Sequence, residues 1–273
     1  DLGYVAFFAI GAYTMALLTA PQPHQLEWGF WPALLIGVGL AALTGILLGI
    51  PVLRMRGDYL AIVTLGFGEI VRLVLENWST FSFGPSGISQ IARPDFFGMH
   101  FTVASATTYI YYILLVMIAL TIFVTTRLNN SRIGRALIAL REDEIACQAM
   151  GIDKTAVKLT AFALGATWAG LMGVIFAAKT TFINPASFTF LESAMILAIV
   201  VLGGMGSITG VVIAAFILQL LPEYLRFLSD YRMLLFGLSM VLMMIFRPQG
   251  LISTEKHRTE YPIMDSLLSA GSK

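Results

Sequence analysis

The sequence is poor in charge and in cysteine. Only 12% of its 273 residues are Asp, Glu, Lys or Arg, about half of the roughly 25% that soluble domains carry. This deficit excludes an ordinary soluble globular protein. The single cysteine, Cys147, excludes a framework of intrachain disulfides.

Several chemical motifs are also missing. No GxxxxGK[ST] phosphate loop is present, so the chain does not bind ATP by that route. His24, His100 and His257 are scattered over loops without metal-ligand spacing. The glycines of 203–206 lack the strand–turn–helix context of a dinucleotide fingerprint, and Cys147 has no histidine near it in the sequence. We therefore expect no catalysis, no metal and no cofactor bound by this chain.

What the sequence has instead is long apolar runs. Apolar residues make up 58% of the chain, and the mean hydropathy is +0.83. About 20 apolar residues in a helix cross a bilayer core, and continuous runs of this kind favour helices over the alternating strands of a barrel. The sequence therefore predicts an all-α, polytopic membrane protein. We expect about eight spans, at 2–20, 31–53, 59–75, 109–126, 159–178, 191–203, 207–221 and 233–246.

Two of these spans are short. Between 191–203 and 207–221 lies only Gly203-Gly204-Met205-Gly206-Ser207. The pair is compatible with two spans joined by a tight turn, or with a broken pair that reaches part-way across.

The distribution of Lys and Arg predicts the orientation in the membrane. Eleven of them fall on one side, six in the loop 127–158, and four on the other side; positive charge concentrates in cytoplasmic loops. We therefore place 127–158 in the cytoplasm and the loop 76–108 outside. Residues 1–252 would form the membrane domain, and the polar 253–273 a cytoplasmic tail that is mostly disordered. Because the chain begins at Asp1, we expect a further N-terminal segment before it.

The densest charge lies in the middle of the chain, in SRIGRALIALREDEIACQAMGID (131–153). Ser131 predicts the N-cap of a helix, whose apolar stripe the stretch REDE (141–144) interrupts. After a second short helix, Gly151 suits a left-handed end and Asp153 suits the next N-cap.

The second helix of this segment carries small apolar residues, among them Ala146, Cys147 and Ala149. A solvated loop would explain the arginines but not an apolar face of small residues. We therefore favour docking into a groove of another protein, with the solvated loop as the alternative.

Stretches in every part of the chain resemble the LivM-type permease family of high-affinity branched-chain amino-acid uptake systems. They are LGYVAFFAIGAYTMALL (2–18), LRMRGDYLAIVTLGFGEIVR (53–72), SRIGRALIALREDEIACQAMGI (131–152), LGGMGSITGVVIAA (202–215) and FRPQGL (246–251). The resemblance implies a permease subunit, not itself an enzyme, of an ATP-driven importer of Leu, Ile and Val in the bacterial inner membrane. It further implies a second related permease, two ATP-binding subunits that carry ATP and Mg, and a periplasmic amino-acid-binding protein, with no nucleic-acid partner.

The segment 131–152 also resembles the coupling loop of ABC-importer permeases, with its pattern Glu-Ala-Ala, three residues, Gly. Aligned on Gly151, the glutamate of the pattern falls on Ile145, one place after Glu144, and the later hydrophobic-Pro part is absent. The resemblance implies that the ATPase-coupling residues are Arg141, Glu142, Asp143, Glu144, Ala146, Cys147 and Gly151.

Charges within a predicted span indicate a candidate translocation path. Glu69 and Arg72 lie three residues apart in 59–75 and can pair on one helix face, either as a structural ion pair or along the path. Irregular backbone is expected where glycines recur in the third span and in the 203–206 break. The candidate path residues are Glu69, Arg72, Gly66, Gly68, Gly203, Gly204 and Gly206.

Three other functions remain open at this stage. Urea or short-amide permeases share much of this architecture. A proton-coupled secondary transporter could use Glu69 or Glu192, but it gives no reason for the segment 131–153. A membrane scaffold without transport is the third.

Overall fold

A computed structural model of the chain describes most of its first 224 residues. The described residues are 1–22, 26, 28–52, 55, 57–94, 103–224, 231, 237–238, 241 and 245–246. Most of the predicted span 233–246, all of the tail 253–273, and FRPQGL after Phe246 lie outside them. The chain divides into two compact units, Asp1–Met195 and Ile196–Lys273.

Helices dominate the described residues, which confirms the all-α class. They are α1 (Tyr4–Thr19), α2 (Phe30–Val52), α3 (Asp58–Asn77), α4 (Ser79–Ser82), α5 (Val103–Asn129), α6 (Arg132–Glu142), α7 (Glu144–Ala149), α8 (Lys154–Thr180), α9 (Phe190–Gly203) and α10 (Ile208–Tyr224). Two-residue strands, β1 (Ile88–Ser89) and β2 (Phe182–Ile183), pair antiparallel with Ile88 opposite Ile183.

Four of the described helical segments are long and apolar enough to cross a bilayer. They are Phe30–Val52, Ser105–Asn129, Lys154–Thr180 and Pro185–Gly203. Two shorter apolar helices, Tyr4–Thr19 and Ile208–Leu220, coincide with predicted spans. Helix α3 is 20 residues long and carries the charges that the sequence places in the third span. The described helices thus fall on seven of the eight predicted spans.

Small residues set the packing of α8 against α1 and α2. A Cβ added to Gly11 of α1 would collide with the backbone of Gly170, and one added to Gly45 of α2 would collide with Ala166. Gly170 is equally close to Ala41. Small residues let helix backbones approach closely in lipid, and glycines and alanines form the contact surfaces of this three-helix core.

An aromatic cluster lies in the same core. The ring centroid of Phe188, from the segment before α9, is 5.8 Å from those of both Phe8 and Tyr13, and Phe8 is 5.3 Å from Phe176. The buried Tyr13 hydroxyl has no hydrogen-bond partner among the described residues. It is therefore an uncompensated polar group inside an apolar core.

Candidate functional site

The segment 131–153 folds as two helices, α6 and α7, ahead of α8. Ser131 Oγ accepts a hydrogen bond from Gly134 N at 3.1 Å and so caps α6, as predicted. Asp143 is extended, with φ −151°, and separates the two helices. Its Oδ1 accepts from Ile145 N at 2.8 Å and from Ala146 N at 3.0 Å, so this carboxylate caps α7.

The end of the segment also follows the prediction. Gly151 has φ +83°, the left-handed conformation that glycine adopts readily. Asp153 Oδ1 accepts from Thr155 N at 2.9 Å and from Ala156 N at 3.3 Å, which caps α8. The helix α7 is therefore joined to α8 by a short connection with one left-handed residue.

Helix α7 presents an exposed apolar surface, which we call the docking face: Ile145, Ala146, Ala149 and Met150. The exposed fractions of Ile145 and Met150 are 79% and 82%. Cys147, expected on this face, is buried at 6%, because the helical rotation of about 100° per residue turns it away from Ile145 and Ala149. The docking face thus contains two large apolar side chains besides the small ones.

The four charges of REDE have different surroundings. Arg141 and Glu142 are exposed and lie 3.3 Å apart, Nη2 to Oε1. Asp143 caps α7. Glu144 Oε1 lies 3.0 Å from Lys158 Nζ and 3.5 Å from Lys154 Nζ, and all three side chains are about one-third exposed or less.

Sequence reasoning missed the two lysines as partners of Glu144. They lie four residues apart at the start of α8, a spacing that places them on one helix face. That spacing was the available signal, but the turn of the chain at Gly151 was needed to bring Glu144 beside them.

A second charged group lies on α3. Arg72 Nη2 is 2.5 Å from Glu69 Oε1, and Arg72 Nε is 3.0 and 3.1 Å from the two Glu69 oxygens. The predicted pairing is confirmed. Arg72 Nη1 also lies 2.7 Å from Glu76 Oε2, a partner one further turn along that the (i, i+4) spacing could have indicated.

A small pocket adjoins this group. Glu69 and Gly68 line it on α3, together with Val5 of α1, Phe188 and Ser193. Its volume of about 20 Å³ is enough for about one water molecule. Ser193 Oγ accepts from Val5 N at 3.1 Å, which ties the start of α1 to α9 beside the pocket.

The glycines behave differently in the two candidate path segments. Gly66 and Gly68 lie within the uninterrupted helix α3, so the expectation of irregular backbone there is wrong. The physical reason is that the residues around both glycines continue the hydrogen bonding of the helix. At Gly68 an added Cβ would lie 3.4 Å from the Cα of Gly3, so this glycine allows the start of the chain to lie close to α3.

The break at 203–206 is present. Helix α9 ends at Gly203, Gly204 and Gly206 have φ of +103° and +98°, and α10 begins at Ile208. Gly210 N donates to Ser207 Oγ at 3.1 Å. A Cβ on Gly203 would collide with the α10 backbone at Val211, so the break is a tight turn whose flanking backbones touch.

The described residues contain no group of three or more His, Cys, Asp and Glu side chains that could hold a metal ion.

Comparison with known proteins covers almost the whole chain. Residues 1–244 match the family model described as "Branched-chain amino acid transport system / permease component". The chain is 49% identical, over 92% of its length, to the high-affinity branched-chain amino acid transport system permease protein LivM of Escherichia coli K12. It spans 63% of the length of that relative.

More distant similarities extend to other permeases. The chain is 32% identical over half of its length to LivH, a permease protein of the high-affinity branched-chain amino acid transport system of Salmonella typhimurium, and spans 44% of that protein. It is 27% identical over 89% of its length to the fructose import permease protein FrcC of Rhizobium meliloti, of which it spans 68%. No solved structure matches the chain.

Proposed function

The chain belongs to the permease-component family of branched-chain amino acid transport systems, and from this premise we propose that it carries leucine, isoleucine and valine through a bacterial inner membrane in an ATP-driven importer. The observation that carries the proposal is the 49% identity to LivM over 92% of the chain. Sugar permeases such as FrcC share only about half of that identity. Urea, short-amide and proton-coupled transport have no comparable support.

The proposed importer contains further chains. A second permease related to this one would complete the membrane part, in line with the likeness to LivH, the permease of a transport system of the same description. Two ATP-binding subunits would carry ATP and Mg, and a periplasmic binding protein would deliver the amino acid.

The segment 131–153 is the proposed contact with the ATP-binding subunits. Its docking face exposes Ile145 and Met150 beside the exposed charges of Arg141 and Glu142. An apolar helix face of this kind suits a groove of another protein, and exposed charges at its rim give orientation and specificity more than affinity. Asp143 and Gly151 would set the direction of α7 through their backbone roles.

The proposed translocation path includes the charged face of α3. Ionisable side chains within a membrane segment face a protein interior or a water-filled cavity. Glu69, which pairs with Arg72, lines a pocket together with Val5 and Ser193. In the second unit, Gly203, Gly204 and Gly206 are proposed to line the path with irregular backbone.

Uptake by the reconstituted transporter tests this function. Proteoliposomes with the complete set of subunits should accumulate labelled leucine when ATP is supplied, and isoleucine and valine should compete while urea and fructose should not. Leaving out this chain should abolish uptake. Uptake that survives its omission, or that stops with an uncoupler at constant ATP, would contradict the proposal.

A further inference from the structure

Helices α7 and α8 are joined through one carboxylate. Glu144 Oε1 lies between Lys158 Nζ at 3.0 Å and Lys154 Nζ at 3.5 Å. These ion pairs join positions 10 and 14 residues apart and cross the connection between α7 and α8. The three side chains are only partly exposed, so water screens the pairs less than it screens a fully exposed pair.

Glu144 differs in this respect from its charged neighbours. Arg141 and Glu142 expose more than half of their side chains, whereas only 27% of the Glu144 side chain is exposed. Cys147, three residues later on the same helix face, is buried. Helix α7 therefore has an inner edge, formed by Glu144 and Cys147, and an outer docking face.

The chain between α7 and α8 is short and runs from Met150 to Asp153. Gly151 N donates to Gln148 O and Ile152 N donates to Cys147 O, both at 3.0 Å. Both bonds fold the connection back onto α7 and neither reaches α8, so they do not fix the direction of α7 against α8. The ion pairs of Glu144 bypass this connection.

Helix α8 is the element that these ion pairs would move when α7 moves. It runs uninterrupted for 27 residues, and Ala166 and Gly170 hold it in close contact with α2 and α1. A displacement of its first two turns, which carry Lys154 and Lys158, would thus reach the three-helix core as a movement of one rigid element.

We propose that Glu144 is a positioning residue that locks α7 to the first two turns of α8 through Lys158 and Lys154, and so transmits movement of the ATP-binding subunits to the membrane helices. The contact with those subunits is made by the docking face with Arg141 and Glu142. This inference rests on the proposed function and assigns separate tasks to residues that the coupling-loop resemblance groups together.

The test compares binding of the ATP-binding subunits with coupling in the reconstituted importer. The Glu144→Gln variant should retain these subunits at the parental ratio and still hydrolyse ATP. Leucine taken up per ATP hydrolysed should fall between about twofold and thirtyfold, the range found for residues that carry coupling energy. Lys179→Gln, at the far end of α8 where the side chain is exposed, is the matched control and should equal the parent.

A charge swap separates positioning from general structural damage. Glu144→Lys and Lys158→Glu should each reduce the uptake per ATP, and the double variant should restore most of it, because the exchanged charges can pair again across the same gap. Lys158→Arg keeps the charge and should retain coupling. These variants also keep the test decisive if Glu144→Gln fails to fold.

Three results would overturn the inference. They are loss of the ATP-binding subunits from Glu144→Gln, parental uptake per ATP in that variant, and no recovery in the charge swap. Absence of ATP-binding subunits from the parental preparation is a different result, because it would contradict the proposed function itself and the inference with it.

Discussion

Arg72 joins two carboxylates on one face of α3, since its Nη1 contacts Glu76 Oε2 at 2.7 Å while its Nη2 and Nε contact Glu69. A guanidinium can bind carboxylates on two sides at once because its donors are held in a rigid planar fork. Lysine has no such fork, so a lysine at this position would not hold both carboxylates in the same way.

Arg72→Met should reduce both stability and transport. The change leaves Glu69 and Glu76 without their shared cation, and hydrogen bonds to charged groups contribute about 1.5–3 kcal/mol each. Thermal unfolding in detergent and leucine uptake measure the two effects. The melting temperature of Arg72→Lys should lie between those of the parent and Arg72→Met. Equal melting temperatures for all three would contradict a stabilising role of the ion pairs of Arg72 with Glu69 and Glu76.

Gly170→Ala should destabilise the three-helix core. The added methyl group would meet Ala41 of α2, and overpacking of this kind costs about 1–3 kcal/mol. Gly165→Ala is the matched control, because it lies in the same helix with open space around the added Cβ. The control should be neutral or stabilising, since alanine favours a helix over glycine by about 1 kcal/mol. Equal effects of both changes in thermal unfolding would mean that α8 does not touch α2 at Gly170.

Tyr13→Phe should not destabilise the protein and should raise its unfolding temperature. The Tyr13 hydroxyl is buried without a partner among the described residues, and leaving such a group unsatisfied costs about 1–3 kcal/mol. Tyr112→Phe, at an exposed position of α5, serves as control and should have no effect. A clear loss of stability in Tyr13→Phe would show that the hydroxyl is hydrogen-bonded.

Glu142→Lys should weaken the association with the ATP-binding subunits. Glu142 is exposed beside the docking face, so charge reversal there should disturb an interface without unfolding α6, whose cap at Ser131 is remote. Co-purification in mild detergent measures the association, and Lys179→Glu at the other end of α8 is the control. Full retention of the subunits by Glu142→Lys would contradict the proposed contact.

Local physics explains which parts of the site could be predicted. Ser131, Asp143 and Asp153 cap helices through backbone N–H groups two or three residues away, and Gly151 is left-handed where glycine is expected. Glu69 and Arg72 pair because they lie one turn apart. Each of these interactions depends on spacing within a few residues, which the sequence displays directly.

The expectations that failed depend on surroundings. Glycine is compatible with irregular backbone and also with a helix. Gly66 and Gly68 are helical because they lie within the continuous hydrogen bonding of α3. Cys147 was placed on the docking face because small apolar residues surround it in sequence. Its burial follows from the direction in which α7 lies against the rest of its own chain.

The sequence by itself determined the helical membrane class, the family and the caps that divide 131–153, because apolar length, overall similarity and short-range hydrogen bonds are properties of order along the chain. Only the tertiary structure decided that Glu144 faces Lys158, that Gly170 touches Gly11 and Ala41, and that Cys147 is buried. These contacts join residues 14 to 159 positions apart or depend on the rotation of a helix. Their energies arise only when the helices meet.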